Sequence, residues 1–330
     1  RMLQKEKENM GTVLRQVAKK FPRPFFSYQN LRLTWARMSI AAGKFPEAEM
    51  ILRQAMVAEP QAPDILTILG AVLWLQGQLQ QALDMLKGAL KYAPNIAPIH
   101  YLIGEIYREQ GLLSQAENSI RQALEHDRSQ LSAWLSLASV VEEGRGPQAA
   151  LAVYEAAKNA IRADASLLNN EGLCYSELGQ DEKALSCYQQ ALMLNPSDPS
   201  ILANKGLILG RQGKIQAALE CYEQALKASP NDVHLLNNKG FCLGKLEQYA
   251  EALSCYEKAL HGHEIDDSSL LHNKATCLSK LGRHKEALAC YDHVLEKRPT
   301  DTTTLNNRGL CLLNLGRVRD ALECYHTAIQ

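Results

Sequence analysis

The chain has 330 residues in which 36 basic and 36 acidic side chains cancel, so no net field draws in nucleic acid or an anionic membrane surface. Its longest apolar run, Ile65–Leu75, is broken by Thr67 and falls short of the roughly 20 residues that a membrane helix needs. Nine cysteines without a Cys-x-x-Cys pair argue against a disulfide or zinc framework and for packed, free thiols in a reducing, cytoplasmic compartment.

Taken in chain order, the first 28 residues open with a charged stretch, RMLQKEKENM, that lacks the apolar core and cleavage site of a secretion signal. Val13–Pro22 (VLRQVAKKFP) matches Ile51–Pro60 (ILRQAMVAEP), so residues 1–28 read as one helix of a partial repeat and an irregular connection, Phe21–Tyr28. From there a unit recurs. Ala36, Gly70, Gly104, Ala138, Gly172, Gly206, Gly240, Ala275 and Gly309 follow one another at 34 residues, with one step of 35. If this small residue is called place eight of the unit, a second small residue stands at place twenty, from Ala48 to Ala321. A bulky one follows at place twenty-four: Leu52, Leu86, Ile120, Tyr154, Tyr188, Tyr222, Tyr256, Tyr291 and Tyr325. A glycine, Gly213 for example, usually separates the two small positions, as a left-handed helix terminus requires; Glu247 is the exception. Prolines such as Pro196 and Pro230 stop the second helix.

This pattern resembles the tetratricopeptide (TPR) repeat, a 34-residue helix–turn–helix unit. The resemblance implies an all-α fold: a right-handed α-α superhelical solenoid of about nine repeats behind the N-terminal partial one. The repeats fall into two kinds. Repeats one to four, 29–164, are divergent and carry no cysteine; repeats five to nine, 165–330, carry all nine, at places ten and twenty-three. The last repeat stops before its expected proline. The open ends suggest one region of a longer protein and would allow self-association.

In this family the first helices line a concave face that binds partners. Transferred to this sequence, place six of the second block reads Asn170, Asn204, Asn238, Asn273 and Asn307. An Asn carboxamide offers a donor and an acceptor together, so a row at constant spacing can grip the N–H and C=O groups of an extended polypeptide. The row is similar to the one in the TPR superhelix of O-linked N-acetylglucosamine transferase. Asn169, Asn237, His272 and Asn306 at place five extend the polar floor, while Leu173, Leu207, Phe241 and Leu310 at place nine add apolar contacts. The Lys and Asn set of a chaperone-tail carboxylate clamp is absent apart from the Asn.

Three further features carry an alternative each. Lys205, Lys239, Lys274 and Arg308 at place seven either favour an acidic ligand or lay their stems along the helix with the charge in water. Trp74, Leu75, Tyr101, Tyr107, Arg108, Trp134 and Leu135 offer either a second binding surface in the first block or core packing. His261–Asp267 (HGHEIDD) is either a cation site or a solvated loop. No nucleotide-binding loop, nucleophile elbow or zinc-protease motif occurs. The reading is a non-enzymatic scaffold that needs no cofactor or metal and binds a protein or peptide segment in its groove. The alternative is a regulatory or substrate-recruiting region of a larger effector enzyme.

Overall fold

The computed structural model describes residues 28–261 and 268–329, together with Val17, Lys19 and Lys20. Most of the expected N-terminal partial repeat, and HGHEIDD beyond His261, lie outside these residues. The chain divides into two compact units, 1–163 and 164–330. Among the described residues, unit 1 holds four helical hairpins: α1 (Tyr28–Ala41) with α2 (Phe45–Ala58), α3 (Pro63–Leu75) with α4 (Leu79–Tyr92), α5 (Ala97–Glu109) with α6 (Leu113–His126), and α7 (Leu131–Arg145) with α8 (Pro147–Ala160). Unit 2 holds five: α9 (Ala165–Glu177) with α10 (Asp181–Leu194), α11 (Pro199–Arg211) with α12 (Ile215–Ala228), α13 (Val233–Lys245) with α14 (Tyr249–Leu260), α15 (Ser268–Lys280) with α16 (His284–Lys297), and α17 (Thr302–Asn314) with α18 (Val318–Ile329). Inside each unit every helix packs on the next in sequence. The result is the all-α hairpin repeat that the sequence predicts.

The hairpins close because place eight is small and place twenty-four is large. A Cβ built on Gly240 would lie 2.7 Å from the Tyr256 ring, and on Gly172 2.6 Å from the Tyr188 ring. Leu86 and Ile120 fill the same role opposite Gly70 and Gly104. Each tyrosine ring thereby covers bare backbone and is itself buried, which contributes a large share of the hydrophobic stabilisation of its repeat. Ala275 accommodates Tyr291 as well, and there the phenol donates to Thr276 Oγ1 at 3.2 Å, while the threonine hydroxyl donates to the carbonyl of His272 at 3.0 Å.

The two ends of each first helix are fixed by different chemistry. In unit 2 an aspartate caps the N-terminus: Asp198 Oδ1 accepts from the backbone N–H groups of Ser200 and Ile201, and Asp232 Oδ1 from those of His234 and Leu235. Asp164 and Asp301 do the same for α9 and α17. Such a cap stabilises a helix by about 1 kcal/mol. In unit 1, α3 and α5 instead carry a proline in the first turn, where no amide hydrogen is needed. At the C-terminal end the chain turns through a left-handed residue. Gly213 adopts φ +74° after α11, and after α13 Glu247 adopts φ 63° without the freedom of glycine.

None of the nine cysteines is in a disulfide; seven are buried and two, Cys255 and Cys290, half-buried. Their regular spacing follows from geometry: places ten and twenty-three face the helix seams, where a small apolar side chain fits.

Candidate functional site

Places five, six and nine recur three or four residues apart, so they share one face of each first helix. In unit 2 this face brings the expected asparagines together across repeat boundaries. Asn204 Nδ2 donates to Asn169 Oδ1 at 2.9 Å, joining α11 to α9. Asn273 Nδ2 donates to Asn237 Oδ1 at 3.1 Å, joining α15 to α13. Asn307 Nδ2 meets His272 Nε2 at 3.4 Å, joining α17 to α15. Each place-six carboxamide thus donates to the place-five side chain of the preceding repeat. One N–H and the carbonyl oxygen of Asn204, Asn273 and Asn307 are left over, one donor and one acceptor each.

Two positions depart from this scheme. Within repeat five, Asn169 Nδ2 donates to Asn170 Oδ1 at 3.4 Å. Asn238 is half-buried, and among the described residues its carboxamide has no partner, because the place-five residue before it is Ala203. Asn306, at place five of the last repeat, is exposed.

His272 supports the last rung. Asn307 Nδ2 can only donate, so His272 Nε2 accepts and Nδ1 carries the proton. Nδ1–H then donates to Thr304 Oγ1 at 2.8 Å, and Thr304 in turn hydrogen bonds Asp301, the cap of α17. Burial holds the imidazole below its ordinary value, opposed by the nearby Asp301 carboxylate. The ring also lies edge-on to Tyr291, with centroids 5.7 Å apart.

Beside the carboxamides runs an apolar edge. Leu173, Leu207, Phe241 and Leu310 at place nine are 38 %, 52 %, 48 % and 49 % exposed, and Thr276 takes that place in α15. Large apolar groups held in water next to unspent donors and acceptors suit a ligand with both a polar backbone and apolar side chains.

The basic row at place seven has a different destination from the two expected for it. Lys239 Nζ lies 2.9 Å from Glu223, and Arg308 Nε 2.6 Å from Asp292, each acid standing in the second helix of the preceding repeat. Lys274 approaches Glu257 at 3.9 Å in the same way. These cations staple consecutive repeats; Arg308 also donates through Nη1 to Cys324 Sγ at 2.9 Å. The acid at place twenty-five was the available sequence signal for these pairs.

In unit 1 the aromatic candidates are largely absorbed by packing. Tyr101 and Trp134 are buried, and Trp134 Nε1 donates to the Arg128 carbonyl at 2.9 Å. Arg108 pairs with Glu105 at 3.0 Å and reaches Glu143 at 3.8 Å. Trp74 is half-buried, its indole N–H on Glu109 Oε2 at 2.8 Å.

Burial pushes the Cys242 and Cys277 thiols up to about 11 and raises those of Cys221, Cys255, Cys290 and Cys311, which disfavours the reactive thiolate at these positions. Among the described residues no group of three or more His, Cys, Asp or Glu side chains is placed to hold a metal ion. No helix there is long and apolar enough to cross a membrane.

The hairpins, the spacing of their small residues and the shared face of their first helices define a helical-repeat protein. Family models of the tetratricopeptide repeat match residues 33–96, 73–140, 172–234 and 205–307, well over half of the chain between them. The chain belongs to the tetratricopeptide-repeat family. Among solved structures it is similar to a chain of the APC/C hetero-tetramer Cut9–Hcn1, at 17% identity and a TM-score of 0.56, covering 88% of this chain and 57% of that one. It is also similar to PilF of Pseudomonas aeruginosa, at 23% identity and a TM-score of 0.55, covering 62% of this chain and 92% of that one. This chain therefore spans little more than half of the first of these relatives, and at such identities both show the fold alone. No curated protein matches the chain.

Proposed function

We propose that the chain is a non-catalytic scaffold whose unit 2 binds an extended polypeptide along the first-helix face. The observation that carries this reading is the row Asn204, Asn273 and Asn307, each with one donor and one acceptor unspent. A peptide unit presents the complementary pair, one C=O and one N–H, and an extended strand repeats it at regular intervals. Leu173, Leu207, Phe241 and Leu310 receive the ligand's apolar side chains. Asn169, Asn170, Asn237, His272 and Asn306 set the orientation of the row or extend it. The raised Cys242 and Cys277 thiols, disfavoured as nucleophiles, support a binding role over catalysis.

The partner is a protein or peptide, and the working compartment is the cytoplasm, which keeps the cysteines as thiols. A TPR chain of the Cut9–Hcn1 hetero-tetramer covers a longer span than this one, so a role as the recruiting region of a larger effector is compatible with the same groove. Apolar Val318, Leu322 and Ile329 are exposed on α18, which supports self-association as a second mode of contact.

The test is selection of binders from a random 12-residue peptide display library, followed by affinity measurement with the best peptide. Leu207 and Phe241 are exposed, so Leu207→Glu with Phe241→Glu leaves the fold intact and weakens that peptide at least about tenfold, the loss of two apolar contacts. Unchanged affinity in a folded double variant would remove the groove as the binding site.

A further inference from the structure

Unit 2 repeats one device three times and omits it once. At the α9/α11, α13/α15 and α15/α17 junctions, a place-five acceptor (Asn169 Oδ1, Asn237 Oδ1 or His272 Nε2) receives the carboxamide N–H of the following repeat. At the α11/α13 junction the acceptor is missing because place five is Ala203, and Asn238 has no side-chain partner among the described residues. A half-buried carboxamide without a partner is unfavourable when its surroundings dry, and a ligand that lays itself along this face dries them.

We propose that the Ala203–Asn238 gap is the specificity point of the groove, where Asn238 reads a side-chain carbonyl oxygen of the bound polypeptide, a carboxamide or carboxylate, in place of the acceptor that Ala203 does not supply. This rests on the groove reading above. Asn204, Asn273 and Asn307, already committed to a neighbour, are each left with one donor and one acceptor and hold main chain without regard to sequence. Asn238 retains both N–H groups for a ligand, and the Ala203 side chain at the preceding place five ends at a methyl group that offers no acceptor. One turn on, Leu207 and Phe241 project into water on the same two helices. The recognised segment therefore carries Asn, Gln, Asp or Glu at one position, with an apolar side chain near it.

The experiment compares peptide selections on the intact chain and on Ala203→Asn, using the random 12-residue library. The intact chain enriches one position for Asn, Gln, Asp or Glu, and the balance of amide against acid among them tells carboxamide from carboxylate. Ala203→Asn supplies the protein's own acceptor, so the enrichment disappears, and the best peptide of the intact chain binds about tenfold more weakly, the loss of one hydrogen bond. Its melting temperature is equal or higher. Asn238→Ala loses the same enrichment and serves as the second variant should Ala203→Asn fold poorly. Retention of the enrichment in either folded variant overturns the proposal, as does its absence from the intact chain. If the selected peptides are instead insensitive to Leu207→Glu with Phe241→Glu, the groove reading itself has failed.

Discussion

Asn204 donates its carboxamide N–H to Asn169 Oδ1 at 2.9 Å across the α9/α11 boundary, so the asparagine row joins repeats as well as facing outward. The pair predicts energetic coupling. In a double-mutant cycle by urea denaturation, Asn169→Ala and Asn204→Ala interact by about 1 kcal/mol, the worth of one neutral hydrogen bond. Asn238→Ala, with no partner to strand, costs less than about 0.5 kcal/mol. Equal costs for Asn204→Ala and Asn238→Ala would show that the bond contributes nothing.

Glu247 sits at φ 63°, where the other hairpin turns of unit 2 use glycine. Left-handed backbone costs an L-residue roughly 1 kcal/mol. Glu247→Gly therefore raises stability by about 0.5–1 kcal/mol, offset in part by the greater freedom of glycine in the unfolded chain. The check is the urea midpoint by circular dichroism.

Gly240 lies under Tyr256 with no room for a methyl group, a Cβ there falling 2.7 Å from the ring. Gly240→Ala forces the ring or the helix pair apart and destabilises by about 1–3 kcal/mol. Ala275→Gly, at the same place in the repeat where Tyr291 already tolerates the methyl, costs about 1 kcal/mol or less, the propensity difference alone.

His272 makes stability depend on pH. Burial depresses its folded-state value below the ordinary 6.5, so the unfolded chain binds the proton more readily. The contribution is complete above the unfolded value and is lost as pH falls below 6.5 and through the folded value. Protonation also puts a second N–H on the ring, facing the N–H of Asn307. His272→Asn, which keeps an acceptor without a titrating group, flattens this part of the stability profile between pH 7 and 5. Asp301, the nearest carboxylate, acts in the same direction, since its own value is lowered first by its hydrogen bond from the Thr304 backbone N–H. Its loss falls at lower pH.

The hairpin fold was legible because it depends on residue size at fixed spacing. Gly240 and Tyr256, sixteen residues apart, are readable as a pair from the period alone, and the positive φ at Gly213 follows from the turn between two helices. The face of the candidate site was legible for the same reason, since places five, six and nine fall on one side of any helix. What the period did not reveal is how carboxamides are spent between helices. The bond from Asn204 to Asn169 needs the separation of two first helices, which sequence spacing does not contain. The destination of Lys239 on Glu223 was hidden likewise, although the acid at place twenty-five in three successive repeats was in view. The aspartate caps at Asp198 and Asp232 were missed as well, although an Asp one residue before a helix is the sequence signal of a cap.

The central claim is that the carboxamide row of unit 2 holds an extended polypeptide. Its most direct test is to follow the side-chain amide NMR signals of Asn204, Asn238, Asn273 and Asn307 while titrating in a peptide selected from the random library. Saturable movement of these four signals together, with Asn238 shifting most, is the predicted result. Peptide binding that leaves them in place and moves only signals of the second helices would contradict it.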